Sequence, residues 1–152
     1  MSEYKLTEEI IQLSEATIWS AAKLEWSLID VYNSYEPDTC LCGHFPINEI
    51  CTIKNRLNGK MATVGNSCVN KFLGLPSNKI FQSIKRIAKD NTKSLNADTI
   101  NYAHAKNWIT DWERDFSLDT KGKRKLSEKQ EGKRIQINKK VIIKMQRPRC
   151  TQ

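Results

Sequence analysis

The sequence predicts an α+β fold, mostly helical, in which one small cysteine-bearing finger lies between an N-terminal helix and three to four C-terminal helices. Three observations predict it. Four of the five cysteines and one of the two histidines fall between residues 40 and 68, as Cys40-Leu41-Cys42-Gly43-His44, then Cys51, then Cys68. An Asn58-Gly59 pair stands between two short runs rich in β-branched residues, Ile50-Cys51-Thr52-Ile53-Lys54 and Met61-Ala62-Thr63-Val64. On either side, apolar residues recur at helical spacing and capping residues punctuate the chain.

Taken in order, residues 6–32 carry Ile10, Ile11, Leu13, Ile18, Trp19, Ala22, Leu24, Trp26, Ile29 and Val31 near a 3.6-residue period. That spacing predicts one long helix, or two broken near Ser14, ended by Glu36-Pro37-Asp38. The Cys40–His44 knuckle follows, and then a β-hairpin, since Asn58-Gly59 suits a turn that needs positive φ. Gly65-Asn66-Ser67 reads as a turn and helix cap. It places Cys68 in the first turn of a short helix over residues 68–73, with Gly74 as its stop. Pro76-Ser77 opens a helix over residues 78–89, with Ile80, Phe81, Ile84 and Ile87 on one side.

Asn96 caps a further helix through Ala105, and the pairs Thr110/Glu113 and Ser127/Gln130 have the spacing of capping boxes. Ile135, Ile137, Val141 and Ile142 give the last helix an apolar side, although Gly132 weakens it by about 1 kcal/mol relative to Ala. Trp108, Trp112 and Phe116 recur every four residues, a stripe read as core packing rather than as a base-stacking platform. The resulting organisation is an N-terminal helical segment (residues 1–36), a finger (37–75), a helical module with a basic last helix (76–146) and a flexible tail (147–152).

A knuckle, a hairpin and a helix bearing a cysteine in its first turn together describe a treble-clef-like finger. Thiolate and imidazole are the donors that tetrahedral zinc takes in structural sites, so one structural Zn2+ is expected. Cys40, Cys42 and Cys68 are three of its ligands, and either Cys51 or His44 is the fourth. Cys51 is preferred, because its strand end should meet the helix start, whereas a third donor from a five-residue knuckle would crowd one edge of the metal. Disulfides are disfavoured: the cysteine count is odd, and Cys40 and Cys42 stand too close in sequence for an easy bridge. Cys150, alone in a basic tail, reads as a free surface thiol.

The 152-residue chain carries a formal net charge of +8, but unevenly. Residues 121–149 hold twelve Lys or Arg against Glu128 and Glu131, a net +10 that leaves the remainder near −2. A basic block on a nearly neutral body is the pattern expected where one surface meets a polyanion, because each neutralised phosphate releases condensed counterions. The candidate phosphate contacts are Lys121, Lys123, Arg124, Lys125, Lys129, Lys133, Arg134, Lys139 and Lys140, with DNA or RNA bound at low sequence specificity. The other partner class is a protein, with the chain acting as a regulator or inhibitor that docks through its N-terminal helix and finger.

Enzyme chemistry finds little support in the residues. Gly59 and Gly65 read as turn residues rather than a phosphate-cradling loop, and no nucleophile, base and orienting acid assemble around His44 or His104. No small-molecule substrate is expected. No apolar run approaches the roughly 20 residues that span a bilayer. With no export or anchoring signal either, the cytoplasm is the expected compartment.

Glu25-Trp26, the Cys-Leu-Cys-Gly-His knuckle, Ile53-Lys54-Asn55, Asn58-Gly59, the run from Val64 to Phe72 and Leu126-Ser127-Glu128-Lys129-Gln130 resemble small bacterial and phage-type proteins. That group carries a zinc-ribbon or treble-clef-like finger followed by a helical Leu-Ser-x-Lys-Gln module. The likeness covers about residues 25–142. It implies metal binding and a prokaryotic or mobile-element setting, implies no particular reaction, and accommodates both His44 and Cys51.

Overall fold

Residues 3–148 are described by the structure, a computed structural model. Among them the fold is α+β, with seven α-helices and a four-stranded sheet. The chain divides into two compact units, one running to Asn78 and including Arg147, the other comprising residues 79–146.

In the first unit, α1 (Glu3–Leu13) buries Leu6 and Ile10 and stops where Ser14 Oγ donates back to the Ile10 carbonyl at 2.5 Å. After a bend come the single turn α2 (Trp19–Ala22) and a 3-10 turn, Lys23–Glu25. The Glu25 carboxylate, almost wholly buried, fixes this path. It accepts from the Glu15 and Ala16 amides and from Asn55 Nδ2, each at 2.8 Å.

Of the helix, or the two helices broken near Ser14, expected over residues 6–32, the break is present after Leu13, but the part from Trp26 onward is overturned, because Trp26–Asp38 is a strand, β1. Its pairing with β2 (Ile47–Asn55) is antiparallel, setting Val31 opposite Cys51 and Tyr32 opposite Ile50. Apolar residues at positions 26, 29 and 31–32 fit a helical period, but they fit a bulged strand as well. The register shift between Leu28 and Asp30 is such a bulge, and it resets which face each residue occupies. Sheet pairing here overrides local periodicity.

The hairpin forms as expected, with β3 (Met61–Gly65) antiparallel to β2. Asn55 organises its loop: Oδ1 accepts from the Leu57 and Asn58 amides, and the backbone N–H donates to Lys60 O at 2.8 Å. Strand order is β3-β2-β1-β4, where β4 is Gln146–Arg147. Val31, Ile50, Ile53 and Val64 form the unit's buried centre. The expected flexible tail is thus corrected at Arg147, whose guanidinium pairs with Asp30 and lies 4.2 Å from the Tyr32 ring centroid. Cys150 lies outside the described residues.

Beyond β3, α3 (Asn66–Cys68) continues as a wider π turn, Val69–Leu73, and Gly74 ends it at φ +66°. The second unit follows the capping signals closely. Its helices are α4 (Ser77–Lys89), α5 (Ala97–Ala105), α6 (Asp111–Thr120) and α7 (Glu128–Met145). Asn96 caps α5 by accepting from the Thr99 amide, and both capping boxes close reciprocally. Phe81, Ile84, Ile87, Ile100, Ile137 and Val141 supply its core.

The aromatic stripe is corrected. Trp108 precedes α6 and meets Tyr102 edge-on, whereas Trp112 and Phe116 stack with centroids 5.3 Å apart, and Trp112 is 60% exposed.

Candidate functional site

The knuckle is drawn tight by its own backbone. Cys40 N–H donates to His44 O at 2.9 Å, Gly43 N–H donates to Cys40 O at 2.8 Å, and Leu41 N–H ties the loop to Thr63 O on β3. Gly43 sits at φ +93°, a backbone conformation that strains any L side chain, and a Cβ there would stand 3.1 Å from Lys5 Nζ. The loop therefore presents Cys40 and Cys42 to the start of α3, where Cys68 stands in the first turn.

Cys40, Cys42 and Cys68 are buried, and their Sγ atoms all lie within 4.8 Å of one another. Three thiolates sharing a tetrahedral ion at Zn–S of about 2.3 Å stand about 3.8 Å apart, so the group needs little adjustment to hold one. The Gly65 amide donates to Cys40 Sγ at 3.3 Å and the Cys42 amide also points to that sulfur, both of which favour the thiolate. Burial works the other way, raising the Cys40 thiol. It raises the Cys68 thiol too, helped by the charge of Cys40 and Cys42. Three buried thiols held in contact are thus poorly disposed to ionise alone, and a divalent cation among them would reverse that balance.

The two candidates for the fourth ligand are placed differently. Cys51 is fully buried on β2 and is outside the three-sulfur group. Burial pushes its thiol up to about 12 even though Ser77 hydrogen bonds to it. His44 is also outside the group, but it is exposed and lines the same cleft of about 450 Å³ as Cys40, Cys42 and Cys68. Glu49 lines the cleft too, with its carboxylate accepting from Asn66 Nδ2 at 3.1 Å.

The basic residues divide into two groups. Lys140 Nζ sits 2.8 Å from Glu113 Oε1 and Lys133 Nζ 3.4 Å from Glu113 Oε2, so these two cations serve a buried carboxylate. Arg134 donates to the carbonyls of Thr92 and Thr120. By contrast, Lys121, Lys123, Arg124, Lys125, Lys129 and Lys139 are exposed and, among the described residues, have no ion pair.

Sequence reading had no means of finding the Glu113 pairing. Its capping-box position gave the carboxylate a local role, whereas its cations arrive from 20 and 27 residues later in the chain. Among the described residues no helix is long and apolar enough to cross a membrane. Comparison of the chain with family models, with curated proteins and with solved structures gives no match, so what these residues do is argued from their own chemistry.

Proposed function

We propose that the chain is a zinc-binding, non-enzymatic nucleic-acid-binding protein of prokaryotic or mobile-element setting. One structural Zn2+ is held by Cys40, Cys42 and Cys68, with His44, exposed and lining the same cleft, as the fourth donor in place of Cys51. The metal fixes a treble-clef-like turn between the knuckle, the hairpin and α3, and the basic segment after α6 contacts phosphate.

The observation that carries this reading is the separation of the cations by role. Among the described residues, four exposed cations without an ion pair, Lys121, Lys123, Arg124 and Lys125, fall within the five-residue loop 121–125, whereas Lys129, Lys139 and Lys144 are spread along α7. Positive charge left without acidic partners on an exposed surface is what a polyanion neutralises, with release of its counterions. Backbone contact of this kind carries affinity and little sequence information.

The test is binding of the zinc-loaded protein to fluorescent single- and double-stranded DNA and RNA across a salt series. Micromolar or tighter binding that weakens steeply with salt supports the reading, and flat, negligible binding to all four probes overturns it.

A second reading, docking on a partner protein through the N-terminal unit, is favoured by the exposure of Tyr4, Ile18, Leu24 and Tyr35, each at least 66% accessible. It calls for a stoichiometric protein complex that persists at high salt.

A further inference from the structure

The loop 121–125 does not stand alone. It closes one side of a cavity of about 540 Å³ whose other walls come from Arg86 on α4, from Lys93 in the loop between α4 and α5, and from Arg134 on α7. Seven cationic side chains line this space against one carboxylate, Glu131. Leu126 is the one large apolar side chain among the lining residues, and no aromatic ring is present.

The cavity is built rather than incidental. Arg134 reaches across it, donating through Nη1 to Thr92 O at 3.3 Å and through Nη2 to Thr120 O at 2.6 Å. Those bonds lock together the two loops that carry Lys93 and Lys121. Asn138, buried on the next turn of α7, donates to Asn91 O at 2.8 Å and Lys93 O at 2.7 Å, and Ser94 Oγ donates to Lys121 O at 2.9 Å. The loop 90–93 is further folded on Asp90, which accepts from the Thr92 amide and hydroxyl.

Five hydrogen bonds therefore hold like charges facing one another. Arg134 feels this directly: burial and the charge of Arg86 both disfavour its protonated form, and Glu131 opposes them only in part. Holding cations together in a rigid frame costs stability unless an anion occupies the space. Arginine forks match phosphate oxygens in pairs, and the lysines add point charges.

We infer that the cavity framed by Arg86, Lys93, Arg134 and the 121–125 loop is a phosphate-binding pocket. It grips the phosphate of a nucleic-acid strand and leaves the base outside, since its walls offer nothing for a base to stack on. The volume accommodates a phosphate with its sugar. The inference rests on the nucleic-acid reading for its biological ligand; a small phosphorylated molecule shares the same chemistry, and the test separates the two.

Two charge-matched double variants make that test. Arg86→Gln/Lys93→Gln removes two exposed cations from the cavity wall, and Lys129→Gln/Lys139→Gln removes two exposed cations from α7 outside it. Thermal melts are run first, and both variants are expected to fold as the wild type does. Each protein is titrated with a labelled oligonucleotide across a salt series and, separately, with pyrophosphate.

The cavity variant is expected to bind the oligonucleotide about tenfold more weakly, with a log–log salt slope flatter by about two, and the α7 variant to lose much less. Equal losses in the two variants, or no loss in the cavity variant, overturn the pocket while leaving nucleic-acid binding intact. Pyrophosphate binding that the cavity variant alone loses, with no oligonucleotide binding by wild type, keeps the pocket, assigns it to a small phosphorylated molecule and rejects the nucleic-acid reading. Failure of the wild type to bind either probe overturns both.

Discussion

Lys140 Nζ donates to both oxygens of Glu113, at 2.8 and 3.0 Å, across 27 residues of chain. Burial alone would raise the Glu113 carboxyl. The Lys140 hydrogen bond, the Thr110 amide and the charges of Lys140 and Lys133 outweigh it and hold the group down to about 2. A carboxyl lowered on folding contributes stability that is fully present above its unfolded value of 4.5 and is lost as pH falls toward 2. Glu113→Gln is therefore expected to lower stability at pH 7 by roughly 2–3 kcal/mol, a figure reduced because Lys140 is half exposed and screened. In urea melts the gap between variant and wild type should close by pH 2. A gap that is the same at pH 2 and pH 7 rules out the ionic origin.

Removal of metal should act locally first. Cys40 and Cys42 belong to a knuckle that without metal is tied by three backbone hydrogen bonds, whereas β2 lies between two strands with Ile50 and Ile53 fully buried. Chelation, or Cys42→Ser, is expected to speed hydrogen exchange at residues 40–44 and 66–73 well before the amides of β2. If the proposed Zn2+ is present, the treated preparation should also release one equivalent of it. Uniform loss of protection across the whole sheet would show instead that the metal holds the first unit together.

Cys51 and His44 can be separated in a cobalt-loaded sample, where thiolate-to-metal charge transfer scales with the number of sulfur ligands. Cys51→Ala should leave the band and the metal stoichiometry unchanged, because Cys51 is buried on β2 and does not line the cleft that Cys40, Cys42, Cys68 and His44 share. His44→Ala should keep the three-sulfur intensity, weaken metal affinity by about ten- to a hundredfold and alter the d–d spectrum. A loss of intensity in the Cys51 variant would restore that residue as a ligand.

These residues also show what the sequence made legible. Asn96, the Thr110/Glu113 and Ser127/Gln130 pairs and Gly74 each act within four residues of themselves, and all sit where local chemistry puts them. The three clustered cysteines were readable for the same reason, since a knuckle and a helix start are short-range features. Strand β1 was not. The β-branched and aromatic content at Ile29, Val31, Tyr32 and Tyr35 was the available signal, but the bulge at Ile29 disguised its alternation as a helical period. Arg86 and Lys93 were invisible as partners of the 121–125 loop, because they stand about 30 or more residues away in sequence and only the tertiary fold brings them to the same cavity.

Arg147 makes a further point about the chain's end. Its guanidinium lies over the Tyr32 ring and against Asp30, so the short β4 strand is clamped onto β1. Arg147→Ala is expected to cost about 1–2 kcal/mol in urea melts, and Arg147→Lys to recover only part of it, since an ammonium lacks the planar face. A variant as stable as the wild type would mean that β4 contributes nothing. Deleting residues 121–152 to remove positive charge would take away this strand and α7 with its buried Ile137, Val141 and Met145. Charge is therefore better tested by substitution than by truncation.

The division among the basic residues gives the sharpest separation of folding from binding. Lys133 and Lys140 spend their charge on Glu113, whereas Lys123 and Arg124 have no ion pair among the described residues. Lys133→Gln/Lys140→Gln strands a buried carboxylate, so its expected signature is a fall in stability of about 2–4 kcal/mol with at most a small change in affinity for nucleic acid. Lys123→Gln/Arg124→Gln exchanges exposed, unpaired side chains, so stability should stay within about 0.5 kcal/mol of wild type. Its affinity for nucleic acid should fall, and its salt slope should flatten by about two. Measuring both quantities on both variants decides the matter. If the Lys133/Lys140 pair also dominates binding, phosphate reads the α7 face; if the Lys123/Arg124 pair does, it reads the loop.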